Sequence, residues 1–367
     1  MLIKSLKLRN FRNYEYLSID FEKDYNIIYG NNAQGKTNII EAAFLCASGR
    51  SHRTSKDLEL LKTGAPGYYI GLSLIKEETL STIEINYKKD ERKRISVNEI
   101  PLKKTGDLMG RLNAVIFSPE DLLIVKEGPS ERRRFLDITL SQLKPSYYFD
   151  LQQYARILFQ RNSLLKEISN KKELMATIDV WNHHLIKTGS KIMKSRREFI
   201  IKLNNKASFR HNKLTKGEEE LSIGYLPSFN IEKEDGIELI EKRFERVLIQ
   251  AISKEVLKGT TLYGPQRDDY DIILNGMSTK IYGSQGQQRT SVLSIKLAEI
   301  DIMKEETEEY PVLLLDDVLS ELDNSRQEYL FENIENIQTF ITCTDRSFFR
   351  RTGVQAKFIN IVGGKVV

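Results

Sequence analysis

Residues 30–37 read Gly30-Asn31-Asn32-Ala33-Gln34-Gly35-Lys36-Thr37, GNNAQGKT. It follows a short apolar run, Asn26 to Tyr29, and precedes a helix-like run, Thr37 to Ser48. The pattern GxxxxGK[ST] between a strand and a helix is a phosphate-binding loop. Its consecutive backbone N–H groups form a nest that, with the positive end of the following helix, suits a β-phosphate. Lys36 supplies a mobile cation for the β and γ oxygens, and Thr37 a hydroxyl for Mg2+. Taken alone, the stretch implies an α/β protein with a site for ATP or GTP.

A second feature answers the first. Pro311 to Leu315 is a short, continuous apolar strand that ends in Asp316-Asp317. Desolvating a carboxylate is costly unless it is paired or meets a metal. Asp316 is accordingly expected beside the Mg2+ held by Thr37, and Asp317 is expected to orient an attacking water. The competing reading is that both acids cap the helix or turn that follows. Ser284-Gln285-Gly286-Gln287, at the start of a helix expected to run to about Lys304, repeats the logic of an anion site. By itself it is equally a turn with an N-cap.

At 367 residues the chain can bury a sizeable core and form two domains, one of them inserted into the other. Hydrophobic residues make up 40% and charged ones 29%, and no apolar run reaches membrane-spanning length, which argues against membrane and fibrous classes. The opening MLIKSLKLRN lacks a secretory pattern, so a cytoplasmic product is expected. Cys46 and Cys343 then read as buried thiols. The net charge is +5, but between Lys166 and Lys216 thirteen Lys or Arg face four Asp or Glu. That local excess is larger than the charge of the whole chain, so the remainder is net acidic. A concentrated basic field on a less basic body suits a phosphate-backbone binder, although solvated helices give the same pattern.

In chain order, residues 2–8 and 16–21 read as strands ahead of the loop strand, and Tyr68–Ile75, Leu80–Tyr87 and Lys93–Val97 as antiparallel strands after it. Arg50, His52 and Arg53 lie in a basic loop between them, either reaching phosphate or base or simply solvated. From Tyr147 to about Leu203 the pattern is helical, with breaks expected near Ser169-Asn170 and Thr188-Gly189. Ile192, Arg196, Phe199 and Leu203 share a face, while Lys187, Lys191, Lys194 and Lys202 project to another side, with Arg197 as a further cation. These cations are a DNA-contacting stripe or plain solvation. Lys206 to Glu220 reads as loop, Leu221–Leu226 as strand and Gly236–Leu257 as helix. The expected domains are 1–118, an N-terminal part of the nucleotide head, 119–257, a mainly helical insertion, and 258–367, the C-terminal part of the head.

Four motifs fall in order: GNNAQGKT, GPQRDD from Gly264, GSQGQQR from Gly283 and LLLDDVLSELD from Leu313. With them the chain resembles, over nearly its whole length, the ABC-type ATPases of DNA repair and chromosome maintenance, most closely the RecF family of recombination mediators. The resemblance implies an α/β ABC-type ATPase head, a P-loop NTPase, with an antiparallel β-subdomain and an inserted α-helical arm. It implies ATP with Mg2+, with nucleotide on Gly30 to Thr37 of one copy closed over by Ser284, Gln285, Gly286 and Gln287 of another, and Asp323 communicating across that interface. Lys36, Asp316, Asp317 and Gln287 are the implied catalytic set, with Thr37 and Asp316 at the metal. Asp317 stands where the wider pattern has Glu, and Thr344 where it has a switch histidine; both departures favour slow turnover. No residue is assigned to the usual lid glutamine. The implied partners are double-stranded and gapped DNA, a second copy, the RecO and RecR mediator proteins, and functionally the recombinase RecA. A short-armed chromosome-maintenance or break-repair ATPase is the runner-up, weakened by the absence of a Cys-x-x-Cys hook. A transporter ATPase subunit and a nucleotide-binding module without turnover stay open.

Overall fold

The computed structural model describes residues 1–169, 171–344, 349 and 355–367, with Lys172 described in its backbone only. It divides into two compact units, Met1–Leu122 with Val292–Val367, and Leu123–Ser291. The fold is a mixed α/β head with antiparallel and parallel sheets and a helical insertion.

Among the described residues the first unit holds two six-stranded sheets. One is antiparallel, in the order Tyr14–Asp20, Leu2–Phe11, Gly67–Lys76, Thr79–Lys88, Arg94–Val97, Ile100–Pro101. Its strands alternate as a half-buried sheet should: Tyr68, Ile70, Leu72 and Leu74 point into the core. The other sheet runs Lys365–Val366, Ala356–Val362, Tyr25–Tyr29, Thr339–Cys343, Val312–Asp316, Ala114–Phe117. All its pairs are parallel except the last hairpin. Ala114–Phe117 and Val312–Asp316 are buried at every position, which is why both read as continuous apolar runs rather than alternating ones. The loop helix, Lys36–Ser48, is buried at every residue from Ile39 on.

Parallel register sets the site. Asp316 pairs with Thr342, and Cys343 with Tyr29, so the strand that delivers the phosphate loop and the strand that ends in Asp316 finish at one edge. Ligands of open α/β sheets bind outside such strand ends.

The second unit contains the helices Pro129–Leu143, Pro145–Ile168, Ile178–Leu214 and Ile237–Lys258 and a three-stranded antiparallel sheet. Pro129 and Pro145 each open a helix, where a missing N–H costs nothing. The long helix of this unit departs from the sequence pattern in two places. The helix Ile178–Leu214 runs its 37 residues straight through Thr188-Gly189. Gly189 is a point of close approach rather than a break: a Cβ there would meet the rings of Phe244 and Tyr154 at 2.8 and 2.9 Å. The same helix continues to Leu214, so much of Lys206–Glu220 is helix and not loop. The helix before it ends at Ile168, and of the break expected at Ser169-Asn170, Asn170 lies outside the described residues.

The GPQRDD motif is the knot of this unit. The buried Asp268 carboxylate accepts from Ser228 N at 2.8 Å and from the Tyr225 hydroxyl, and Arg196 donates to Pro265 O at 2.6 Å and to Asp137 at 2.8 Å. Asp269 takes Arg132 in a two-point pair at 2.7 and 2.9 Å. Burial pushes the Asp268 carboxyl up from its ordinary range, against the pull of Arg196 and Tyr225.

Candidate nucleotide-binding site

The loop after Tyr29 turns on two glycines. Gly30 has φ 148°, and a Cβ there would lie 2.3 Å from Ile361 O. Gly35 has φ 111°, and its Cβ would meet Asn13 at 2.6 Å and the Tyr14 hydroxyl at 2.8 Å. Only glycine fits either position. Asn13, from the turn between the first two strands, and Tyr14, which opens the second of them, brace the loop: Asn13 Nδ2 donates to Gln34 O at 2.8 Å and Tyr14 Oη to Gly35 O at 3.0 Å. From the C-terminal hairpin, Gly363 N donates to Gln34 Oε1. Asn31, Asn32 and Ala33 are exposed at the crest of the loop.

Lys36 opens the helix, and its ammonium donates to Gly30 O at 2.7 Å and Asn31 O at 2.8 Å. Burial draws its pKa down, opposed by Asp317, Cys343 and Asp316. Thr37 Oγ1 donates to Asp316 Oδ1 at 2.9 Å, and Thr342 Oγ1 donates to the same oxygen at 2.7 Å. Burial raises the Asp316 carboxyl, and the two hydroxyls work against it. Asp317 follows in a left-handed conformation, φ 54°, its N–H on Thr342 Oγ1 at 2.9 Å. Its side chain makes no capping bond to the next turn, so the capping reading of this acid lacks its hydrogen bond.

A hydroxyl and a carboxylate at a helix N-terminus form a hard oxygen set that suits Mg2+. Among the described residues no group of three or more His, Cys, Asp or Glu could hold a metal alone. Mg2+ is typically bound by one or two carboxylates together with substrate phosphates, so the residues present fit it. The loop's backbone and Lys36 likewise fit the phosphates of a nucleotide.

Behind the loop, Glu41 is fully buried and ion-paired to Arg12 at 2.6 Å, with Ser51 donating at 2.5 Å. Burial works against its charge, and Arg12 and Ser51 more than offset that, holding its pKa below the usual range. Arg53 reaches Asn38 Oδ1 at 3.3 Å and Glu41 at 3.7 Å, which fixes it beside the loop helix, while Arg50 is exposed. Asp323 is the N-cap of the helix Asn324–Asn333, accepting from Arg326 N at 2.9 Å. Thr344 follows the strand Thr339–Cys343 and is exposed.

Ser284 and Gln287 belong to the second unit. They form a reciprocal cap at the start of the helix Gln285–Thr307: Ser284 N donates to Gln287 Oε1 at 2.9 Å and Gln287 N to Ser284 Oγ at 3.2 Å. Ser284 and Gln285 are exposed and Gly286 half-buried.

The cations of the long helix separate. Lys191 is exposed, and Lys194 is loosely paired with Glu198 at 3.8 Å. Lys187 donates to Glu241 at 2.6 Å in a groove of about 630 Å³ where four acids, Asp179, Glu238, Glu241 and Glu245, outnumber the two lysines Lys187 and Lys242. Arg197 does not join the expected stripe of DNA-contacting or solvated cations. It is buried, with its guanidinium on Glu232 O at 2.7 Å and Asp235 O at 2.8 Å, and its face is core. Asn13, Tyr14, Glu41 and Thr342 were missed by sequence reading. Only Thr342 had a signal, as a hydroxyl near the end of a second apolar strand.

Comparison with known proteins places these features in a family. The model of the RecF/RecN/SMC N-terminal domain matches residues 2–363. The DNA replication and repair protein RecF of Acetivibrio thermocellus is 56% identical over 349 residues, covering 95% of each chain. That of Ruminiclostridium cellulolyticum is 52% identical, covering 100% of this chain and 99% of its own. A solved structure of the recombination mediator protein RecF with ATP, in the RecFOR pathway, superposes with a TM-score of 0.93 at 38% identity, over 100% of this chain and 96% of its own. An Smc head domain from Pyrococcus furiosus shares the fold, with a TM-score of 0.56 at 16% identity over 100% of this chain and 95% of its own.

Proposed function

The chain belongs to the RecF/RecN/SMC N-terminal domain family, and from that membership we propose that it is an ATP-dependent, DNA-binding recombination mediator of the RecF type. The observation that carries the reading is the hydrogen bond of Thr37 with Asp316 at the common strand edge. It joins the phosphate loop to an acid near the far end of the chain, as a nucleotide site with metal requires. ATP is favoured over GTP because a solved RecF relative at 38% identity is an ATP complex.

In this reading Gly30 to Thr37 hold the phosphates, with Lys36 against the β and γ oxygens, and Thr37 and Asp316 hold Mg2+. When bound, the metal supplies charge neutralisation on the phosphate oxygens. Asp317 orients a water. Its stem is one carbon shorter than that of Glu, so turnover is slow. Each chain carries one such loop and one Ser284–Gln287 turn, and in line with the family resemblance the complete site is proposed to be built from two copies, with ATP as the adhesive of a homodimer. The exposed Lys191, with Lys194, Lys202, Arg50 and Arg53, is proposed to meet duplex DNA near single-strand gaps through its phosphates, giving salt-sensitive and largely sequence-independent binding. Hydrolysis releases the dimer. The proposed partners are RecR and RecO, with RecA as the recombinase whose loading is assisted.

The enzymatic part is tested by phosphate release from the wild type, Asp317→Asn and Lys36→Arg, with duplex DNA. Loss of release in both variants supports it. Equal background from all three defeats it.

A further inference from the structure

We infer that Glu219 is a positioning residue for the Ser284–Gln287 turn, tying it to the end of the long helix through His211. The inference rests on the reading of that turn as the part that completes a second copy's nucleotide site.

Gln287 Nε2 donates to Glu219 Oε1 at 2.8 Å, across 68 positions of sequence. The other carboxylate oxygen lies 3.1 Å from His211 Nε2, and His211 is fully buried in the last turn of the helix Ile178–Leu214. A side-chain amide has one donor end and one acceptor end. With its nitrogen held by Glu219, Gln287 must present its oxygen the other way, and that oxygen accepts from Ser284 N at 2.9 Å. Gln287 N in turn donates to Ser284 Oγ at 3.2 Å. A hydroxyl that accepts this bond still has its proton to donate, and Ser284 is exposed. Glu219 therefore fixes the amide orientation that fixes the serine.

The local chain explains how Glu219 reaches this place. Lys216 and Gly217 are both left-handed, φ 54° and 82°, and Gly217 N donates to Asn212 O at 2.8 Å. The chain thus reverses after the helix and carries Glu219 back to His211, eight residues earlier, before the strand Leu221–Leu226 begins. Of the three consecutive glutamates, Glu218 and Glu220 are exposed and Glu219 is half-buried. Its two oxygens serve two elements at once, so the last turn of the long basic helix is part of what holds the turn at Ser284.

The test uses the full-length chain with saturating ATPγS, reading the dimer dissociation constant by sedimentation and the nucleotide affinity of the dilute single chain by fluorescence. Glu219→Ala is expected to weaken dimerisation by about tenfold or more, with nucleotide affinity unchanged. Glu219→Gln keeps an acceptor for Gln287 and is expected to recover most of the loss, which serves as the folded control if the alanine variant is unstable. Adding Glu219→Ala to Gln287→Ala is expected to cost nothing further. Wild-type dimerisation by Glu219→Ala, losses that add in the double variant, or a Glu219→Gln variant as weak as the alanine one would each overturn the inference. In the same assay Ser284→Arg reports on the underlying reading: if it dimerises like the wild type, that reading fails as well, whereas its loss beside an unaffected Glu219→Ala defeats the inference alone.

Discussion

Thr37 Oγ1 donates to Asp316 Oδ1 at 2.9 Å, joining the first turn of the loop helix to the end of a strand 279 positions later. If this pair holds Mg2+, Thr37→Ala should lower the magnesium-dependent part of ATP affinity by about 10- to 100-fold. Binding in EDTA should change little. Titration of a fluorescent ATP analogue with and without Mg2+ checks this, and an equal loss in both conditions would assign Thr37 to the phosphates alone.

Gly35→Ala is expected to damage the loop on two counts. The backbone is left-handed at φ 111°, and the new Cβ would press on Asn13 and Tyr14. Strain of this kind costs about 1–3 kcal/mol. Urea unfolding should show that loss, and nucleotide affinity should fall with it. A variant as stable as the wild type would mean that the turn bearing Asn13 gives way freely.

Arg161 and Glu255 form a fully buried pair at 2.6 Å in the helical unit. Breaking such a pair strands a charge and costs about 3–5 kcal/mol. Glu255→Leu should therefore be strongly destabilising, and Arg161→Met with Glu255→Leu should be less so than either alone. Unfolding midpoints of the three variants decide it. Additive losses would show that the pair is not coupled.

Asp121 lies against Lys296 and Glu299, and burial pushes its carboxyl up to about 6 in spite of the lysine. A carboxyl raised on folding binds a proton more tightly in the native state. Its contribution is full below the unfolded value, near pH 4, and is lost as pH rises through about 6. Across that window the wild type should lose up to about 3 kcal/mol at this residue. Asp121→Asn retains an acceptor for Ser118 N, now at 2.7 Å, and should flatten that part of the curve. Urea midpoints at pH 4, 5, 6 and 7 read it, and parallel curves for the two proteins would contradict it.

Lys191→Glu with Lys194→Glu should weaken duplex DNA binding and reduce the slope of its salt dependence by about 1 for each phosphate that is no longer neutralised. Arg197→Ala should instead lower stability, because its guanidinium holds the Glu232 and Asp235 carbonyls. Anisotropy titrations at three salt concentrations separate the two. Unchanged slopes in the lysine variant would move the DNA surface elsewhere.

Much of the head was legible because its signals are local. Val312–Asp316 shows as an apolar run ended by acids, and the phosphate loop shows by spacing. Leu221–Leu226 was read at its observed limits. What escaped depends on distant partners. Gly189 looked like a helix break because nothing local says that Phe244 and Tyr154 come so close. Arg197 reads from sequence as one more cation of a DNA-contacting or solvated stripe because its acceptors, the carbonyls of Glu232 and Asp235, are backbone atoms with no sequence signature. Glu219 was hidden in a run of three glutamates, two of which are the ordinary exposed kind.

If nucleotide on one copy's Lys36 is closed over by Ser284 of another, two variants that fail separately, Lys36→Ala and Ser284→Arg, should complement each other when mixed and followed for dimer formation by sedimentation with ATP. Each alone should remain monomeric. Together they form one intact composite site per pair, so the mixture should dimerise. A mixture no more dimeric than its components, or either variant dimerising like the wild type alone, would contradict the account.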